Sequence, residues 1–189
     1  GQSRAYIPLD MLAPTAADAV VAIEDQRFYQ HPGVDPIGVL RAALVNLRAG
    51  QLVEGGSTIT QQLVKNLFLS SDRTFARKFE EAVLALWLEL RLSKRDILEL
   101  YLNRVYFGGG AHGIEAAAQR YFGKSAAHLA LPESAVIAGL LKAPSRYAPS
   151  ASPAQAIARG RVVIARMRDA GFITREEAGA ALEADISFS

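Results

Sequence analysis

Glu24-Asp25-Gln26-Arg27-Phe28-Tyr29-Gln30-His31-Pro32-Gly33 sets two acids, a base, two aromatics and a histidine within ten consecutive residues. The apolar run Ala19-Val20-Val21-Ala22-Ile23 leads straight into it and reads as the end of a helix packed in a core. A carboxylate at the point where a chain leaves apolar surroundings is partly desolvated. Desolvation raises a carboxyl pKa toward the range useful to a general base. Spacing alone also allows a plainer reading for Glu24, a helix-end carboxylate bonded to a neighbour. Asp25 beside it could orient Glu24 or raise its pKa.

A second polar stretch, Gly55-Gly56-Ser57-Thr58-Ile59-Thr60-Gln61-Gln62-Leu63-Val64-Lys65-Asn66, interrupts an otherwise apolar chain. Ser57, Thr58, Thr60, Gln61 and Gln62 carry donors and acceptors suited to sugar hydroxyls and phosphate, and Asn66 shares their helix. A helix N-terminus near Ser57 also favours an anion. Lys65 and Arg73 follow, with Arg77 and Lys78 a turn further on. Lysine offers a point charge and arginine a two-pronged fork that matches phosphate oxygens. Ordinary helix-surface charge is the alternative for all four. Glu81 could pair with Arg77 at i,i+4, whereas Glu80 should point elsewhere.

These two stretches resemble signature motifs of the peptidoglycan glycosyltransferases, the glycan-polymerising domains of bifunctional penicillin-binding proteins and their monofunctional relatives. Three further segments match in order: Arg77-Lys78-Phe79-Glu80-Glu81, Lys94-Arg95-Asp96-Ile97-Leu98-Glu99-Leu100-Tyr101-Leu102-Asn103, and the stretch from Gly108 to Gly123. Five ordered motifs are far more specific than one, and the likeness runs from about Tyr6 to the C-terminal helices. It implies an all-α fold, with a lysozyme-like helical lobe and a smaller lobe against the membrane. It implies Glu24 as the base and Glu81 as the second acid. Asp25, Ser57, Thr58, Gln61, Gln62, Lys65, Asn66, Arg73, Arg77 and Lys78 fall on the substrate-binding side. The implied substrates are lipid II and a growing glycan strand on a polyprenyl pyrophosphate, with inversion and release of the lipid pyrophosphate. Phosphoglycolipid inhibitors of the family should bind at the same place. A divalent cation, magnesium or manganese, assists some members, but no dedicated metal site is legible in the sequence.

The remaining histidines, His112 and His128, lack metal-ligand spacing. A structural role within its own turn suits His31 better than catalysis. Glu99 and Asn103 read as scaffold, and Trp87 as core. Two other functions compete: a lysozyme-like hydrolase or lytic transglycosylase, and a helical module that only binds lipid-linked glycan. A hydrolase of finished glycan has no use for the Lys65 and Arg73 cluster, and intact acids at Glu24 and Glu81 argue against a pure binder.

The elements that must position these residues are helices. A chain of 189 residues with half its residues hydrophobic can bury a sizeable core and suits one domain over 1–189. The net charge of +2 is too weak to argue for nucleic acid, and the lack of cysteine excludes disulfides and thiol catalysis. No apolar run is long enough to span a bilayer, and no signal peptide is visible. The resemblance therefore implies an excised domain, lacking its membrane anchor and any transpeptidase domain. Such a piece would work at the extracytoplasmic face of a bacterial plasma membrane and would not bind penicillin.

Helix start signals place Thr15 as the cap of a helix over 16–24 and Asp35-Pro36 at the head of the next. Ser57 or Thr58 should cap a third helix to about Leu69, and Asp72 should open a long amphipathic helix through Leu92. Ser93 to Asp96 resembles a capping box. Gly108-Gly109-Gly110 breaks the pattern. Helices follow over 113–121, 132–141, 153–170 and 174–184. Residues 51–56 read as a mobile loop. Leu40, Leu44, Leu47, Leu63, Leu67 and Phe68 recur at helical spacing, with core burial as the default. The resemblance offers a bilayer-facing alternative.

Overall fold

The computed structural model describes residues 5–51, 55–69, 72 and 74–189. Among the described residues it contains ten α-helices, and its sole β pairing is an isolated bridge between Tyr106 and His112. They are α1 Pro14–Glu24, α2 Pro36–Ala49, α3 Ile59–Phe68, α4 Phe75–Arg91, α5 Lys94–Arg104, α6 Ile114–Phe122, α7 Leu131–Leu140, α8 Pro144–Tyr147, α9 Pro153–Asp169 and α10 Arg175–Glu183. The expected all-α class is what the chain adopts. The chain divides into two compact units, one of 1–23 with 102–189 and the other of 24–101.

In the first unit, α7 is buried on every side from Ser134 to Leu140, and α9 packs against it. The close approach depends on small residues. A Cβ on Gly160 would lie 2.9 Å from Val136, and one on Gly139 would lie 2.7 Å from Arg159. Ile7 joins this unit through Asn103, whose amide accepts from the Ile7 N–H at 2.8 Å and donates to its carbonyl at 2.9 Å. A side chain thus does for Ile7 what a neighbouring strand would do, and two buried backbone groups are satisfied without a sheet. Asn103 is scaffold, as its place in the sequence indicates.

Several boundaries differ from the sequence expectation, each for a local reason. The first helix begins at Pro14, so Thr15 lies inside it, and its hydroxyl bonds Ser134 at 3.0 Å instead of capping. Asp35 holds the cap position of α2, but its carboxylate accepts from Arg27 Nε at 3.1 Å, not from the helix amides. Thr74, not Asp72, caps α4, with its side chain accepting from the Arg77 N–H. The short helix α8 has no counterpart in the sequence reading. Of the two candidate caps of α3 it is Thr58, in a full capping box with Gln61, and Ser93 and Asp96 bond reciprocally at the start of α5, as expected. The loop expected at 51–56 falls partly on 52–54, outside the described residues.

In the second unit α3 packs against α4. The large apolar residues of α2 at helical spacing are not core: Leu40 is 63% and Leu47 79% exposed, and Ile37 and Leu44 are exposed with them, while Ala42 is buried. Of the six residues assigned to a core by default, Leu63 is fully buried and Phe68 exposed. Helix α4 buries Glu81, Ala85 and Leu88 along one row. Its apolar residues Phe75, Phe79, Val83, Leu86 and Leu90 form an exposed stripe at three- and four-residue spacing. Trp87, expected in the core, is 43% exposed with the Arg91 guanidinium over its ring.

Candidate active site

Helix α1 ends at Glu24, half-buried like Ile23 before it and following the buried run from Ala19 to Ala22, so the apolar approach inferred from sequence is present. The next residue turns inward. Asp25 is buried, and its Oδ2 accepts from His31 Nε2 at 2.7 Å and from the Ile59 N–H at 3.0 Å. Ile59 is the first residue of α3, so the Asp25 carboxylate satisfies an otherwise orphaned amide and sits at the positive end of the helix dipole. Glu24 is thereby tied, through its neighbour, to the start of the second motif.

His31 is buried and structural. The Gly33 N–H donates to its Nδ1 at 3.0 Å, which assigns the ring proton to Nε2, where it faces Asp25. Gly33 has φ +117°, and a Cβ there would lie 2.8 Å from the Ala85 carbonyl of α4. Only glycine allows this approach. The Gly33 carbonyl in turn accepts from the Thr58 hydroxyl at 2.6 Å.

Thr58 and Gln61 are therefore engaged locally. The Thr58 Oγ1 accepts from the Gln61 N–H at 3.0 Å and the Gln61 Oε1 from the Thr58 N–H at 2.8 Å. Both are buried. Gln62 accepts from the Tyr101 hydroxyl at 2.9 Å. The Tyr101 phenol is pushed well above its ordinary pKa by burial, with the Glu24 and Asp25 carboxylates adding to the rise. Tyr101 is thus a neutral donor within the electrostatic reach of both acids. It is one of the residues that site reasoning from sequence missed, although its segment was among the matched motifs.

Lys65, Asp72, Thr74, Phe75, Arg77, Lys78 and Glu81 line a cavity of about 650 Å³. Of the predicted residues it gathers Lys65, Arg77, Lys78 and Glu81, while Glu24 lies outside this lining. Arg73 falls outside the described residues. Ser57 reaches the cluster through a bond from Lys78 Nζ. Lys65 and Asn66 are both exposed on α3. The expected Arg77–Glu81 pairing does not form. Arg77 donates to Glu80 at 2.9 Å, and Lys78 pairs with Glu81 at 2.7 Å. Glu81 is on the buried row of α4, out of reach of the guanidinium, and Glu80 faces outward, as expected. Among the described residues no three or more His, Asp or Glu side chains cluster as metal ligands.

The described cavity sets the cations Lys65, Arg77 and Lys78 beside the buried Glu81, in the same unit as Glu24. The transglycosylase family model matches residues 1–168. The chain belongs to the transglycosylase family. It is 50% identical over 176 residues to penicillin-binding protein 1A of Aquifex aeolicus (strain VF5), covering 93% of this chain and 24% of that protein. It is 52% identical over 174 residues to penicillin-binding protein 1A of Escherichia coli (strain K12), covering 92% of this chain and 20% of that protein. The crystal structure of penicillin-binding protein 1A from Haemophilus influenzae matches with a TM-score of 0.61 at 30% identity, over 100% of this chain and 18% of that one. This transglycosylase chain thus spans about a quarter or less of the length of these relatives.

Proposed function

We propose that the chain is a peptidoglycan glycosyltransferase that polymerises lipid II into glycan strands. The observation that carries this reading is the placing of Lys65, Arg77 and Lys78 around Glu81 in one cavity. A transfer from a lipid pyrophosphate needs positive charge on the leaving group, and hydrolysis of finished glycan does not. Family membership supports the same choice over a lysozyme-like hydrolase or a non-catalytic binder.

The 4-hydroxyl of the acceptor attacks the anomeric carbon of the donor. Glu24 takes the hydroxyl proton as the new C–O bond forms. The bond from the anomeric carbon to the pyrophosphate oxygen breaks on the opposite face, so the configuration inverts. The departing polyprenyl pyrophosphate is received by Lys65, Arg73 and Lys78, with Arg77 beside them. Glu81 holds Lys78 in place. Asp25, fixed by His31 and Ile59, positions Glu24. Thr58 and Gln61 shape the head of α3, and Ser57, Gln62 and Asn66 face the sugar and phosphate groups. Phosphoglycolipid inhibitors occupy the same cationic surface. Magnesium or manganese, where one assists, would neutralise charge on the departing pyrophosphate. The exposed apolar stripes of α2 and α4 rest on the outer face of a bacterial plasma membrane, where the lipid-linked substrates are held. No helix among the described residues is long and apolar enough to cross it.

The test is direct. Incubated with labelled lipid II in detergent, the protein should yield glycan polymer and release polyprenyl pyrophosphate. Soluble fragments from preformed peptidoglycan, with no polymer from lipid II, would select the hydrolase reading instead.

A further inference from the structure

Beneath the Glu24-to-Gly33 segment lies a charged pair that the reaction above does not use. Glu89 of α4 and Lys94 of α5 meet at 2.7 Å, with side chains only 10% and 22% exposed. Each makes further bonds inward. Glu89 Oε2 also accepts from the Thr60 hydroxyl of α3 at 2.9 Å. Lys94 Nζ donates to the His31 carbonyl at 2.6 Å and lies 4.5 Å from the centre of the Phe28 ring. Three helices and the first motif therefore converge on two side chains.

The pair is also the electrostatic environment of His31. The charged groups that face the imidazole are Asp25 at Nε2 (2.7 Å), and Glu89 and Lys94 at Nδ1 (3.8 Å and 3.5 Å). Glu89 without its cation would be a second carboxylate drawing a proton onto Nδ1. A protonated Nδ1 is a donor and can no longer accept from the Gly33 N–H. That bond holds the glycine turn against α4.

We propose that Lys94 and Glu89 are a positioning pair for the catalytic segment. By neutralising each other beside His31, they keep Nδ1 unprotonated as the acceptor of the Gly33 N–H, and so hold the glycine turn against α4 and the segment that carries Asp25 and Glu24. The proposal deepens the glycosyltransferase reading and rests on it for its catalytic consequence. Its structural part, the state of His31, stands on the hydrogen bonds alone.

The test uses Lys94→Met, Glu89→Gln and the double variant, each checked for folding by circular dichroism. Nitrogen-15 NMR of the histidine rings should show neutral His31 with the proton on Nε2 in the parent protein and in Glu89→Gln. In Lys94→Met the ring should shift toward the doubly protonated form at neutral pH. The double variant should return it to neutral, because the unpaired carboxylate is gone. Misplacing a catalytic group slightly is expensive, so kcat for lipid II polymerisation in Lys94→Met should fall on the order of tenfold to a hundredfold. KM and the affinity for a phosphoglycolipid inhibitor should stay within about twofold, since the cations that bind pyrophosphate are untouched. The double variant should recover part of kcat. An unaltered His31 ring in Lys94→Met, or a loss in KM as large as that in kcat, would overturn the proposal. If Lys94→Met does not fold, Lys94→Gln carries the same comparison. Lack of polymerisation by the parent protein would defeat the glycosyltransferase reading and leave the His31 result standing.

Discussion

Lys78 Nζ lies 2.7 Å from Glu81 Oε1, one turn apart on α4, and the two ends of this pair sit in different media. The carboxylate is on the buried row with Ala85 and Leu88, and the ammonium is more than half exposed. Solvent screens such a pair, so its contribution to folding is about 1 kcal/mol or less. Its value is geometric, because it leans a cation over the cavity and leaves the outer side of that cation open to an anion. Lys78→Ala should therefore change the melting temperature little, yet weaken binding of a pyrophosphate-bearing ligand. Thermal denaturation beside inhibitor titration separates the two effects, and a large loss of stability with intact binding would refute the geometric role.

Lys65 and Arg73 are proposed as the other pyrophosphate contacts. Charge-assisted contacts of this kind contribute on the order of 1.5–3 kcal/mol each. Lys65→Ala and Arg73→Ala should each weaken phosphoglycolipid and lipid II binding by about tenfold or more at that energy. Unchanged inhibitor affinity in both variants removes them from the site.

The apolar stripes predict membrane attachment without a spanning helix. Leu40 and Leu47 of α2 project into solvent, so replacing them with serine empties no core. The parent protein should float with anionic liposomes at low salt. Leu40→Ser with Leu47→Ser should float less while melting at nearly the same temperature. Destabilisation in place of lost flotation would mean that these leucines are packed.

What could be read ahead of the structure follows from how local each signal is. The cap of α3, narrowed by sequence to Ser57 or Thr58 and made by Thr58, and the box of Ser93 with Asp96 are short-range devices, and both formed where the sequence places them. Thr15 and Asp35 look like the same device but were claimed by partners, Ser134 and Arg27, that no local pattern reveals. Periodicity found the helix of Leu40, Leu44 and Leu47. It could not say whether the stripe faces protein or solvent, because both readings require the same spacing. Glu81 and Glu80 were separated correctly by helical geometry. The choice of Lys78 over Arg77 as the Glu81 partner depends on which row of α4 is buried. Glu89, Lys94 and Tyr101 were missed as neighbours of the first motif because they come from α4 and α5, some 60 to 75 residues later in the chain. The turn of Gly33 against Ala85 brings α4 up to the first motif.

Tyr101 gives a prediction in alkaline solution. Its phenol is held neutral by burial and by the acids beside it, so its folded pKa lies above the value of 10.0 that it has when exposed. The unfolded chain then binds fewer protons than the folded one once pH exceeds that value. The Tyr101 contribution to stability is complete below about pH 10 and is lost as pH rises toward the folded pKa. Ultraviolet titration should show Tyr101 among the tyrosines that ionise only with alkaline unfolding, and Tyr101→Phe should reduce that step by one tyrosine. Ionisation of every tyrosine before unfolding would contradict the burial of this phenol.

The two acids are distinguished by what an amide can replace. Glu24 is assigned as base because it ends a buried apolar helix beside an anchored Asp25, and a base must accept a proton. An amide of the same shape cannot do so. Glu24→Gln should abolish polymerisation yet bind lipid II nearly as well as the parent, since binding needs no proton transfer. Glu81 instead holds Lys78 at the cavity. Glu81→Gln keeps an oxygen in hydrogen-bonding distance and loses only charge, so polymer yield should fall but remain above that of Glu24→Gln. Part of its deficit should appear in lipid II affinity, because a loosened Lys78 presents itself less well to the phosphate. Polymer yield and lipid II affinity are measured for both variants, with circular dichroism confirming that each is folded. Activity in Glu24→Gln equal to or above that in Glu81→Gln would transfer the role of base away from Glu24.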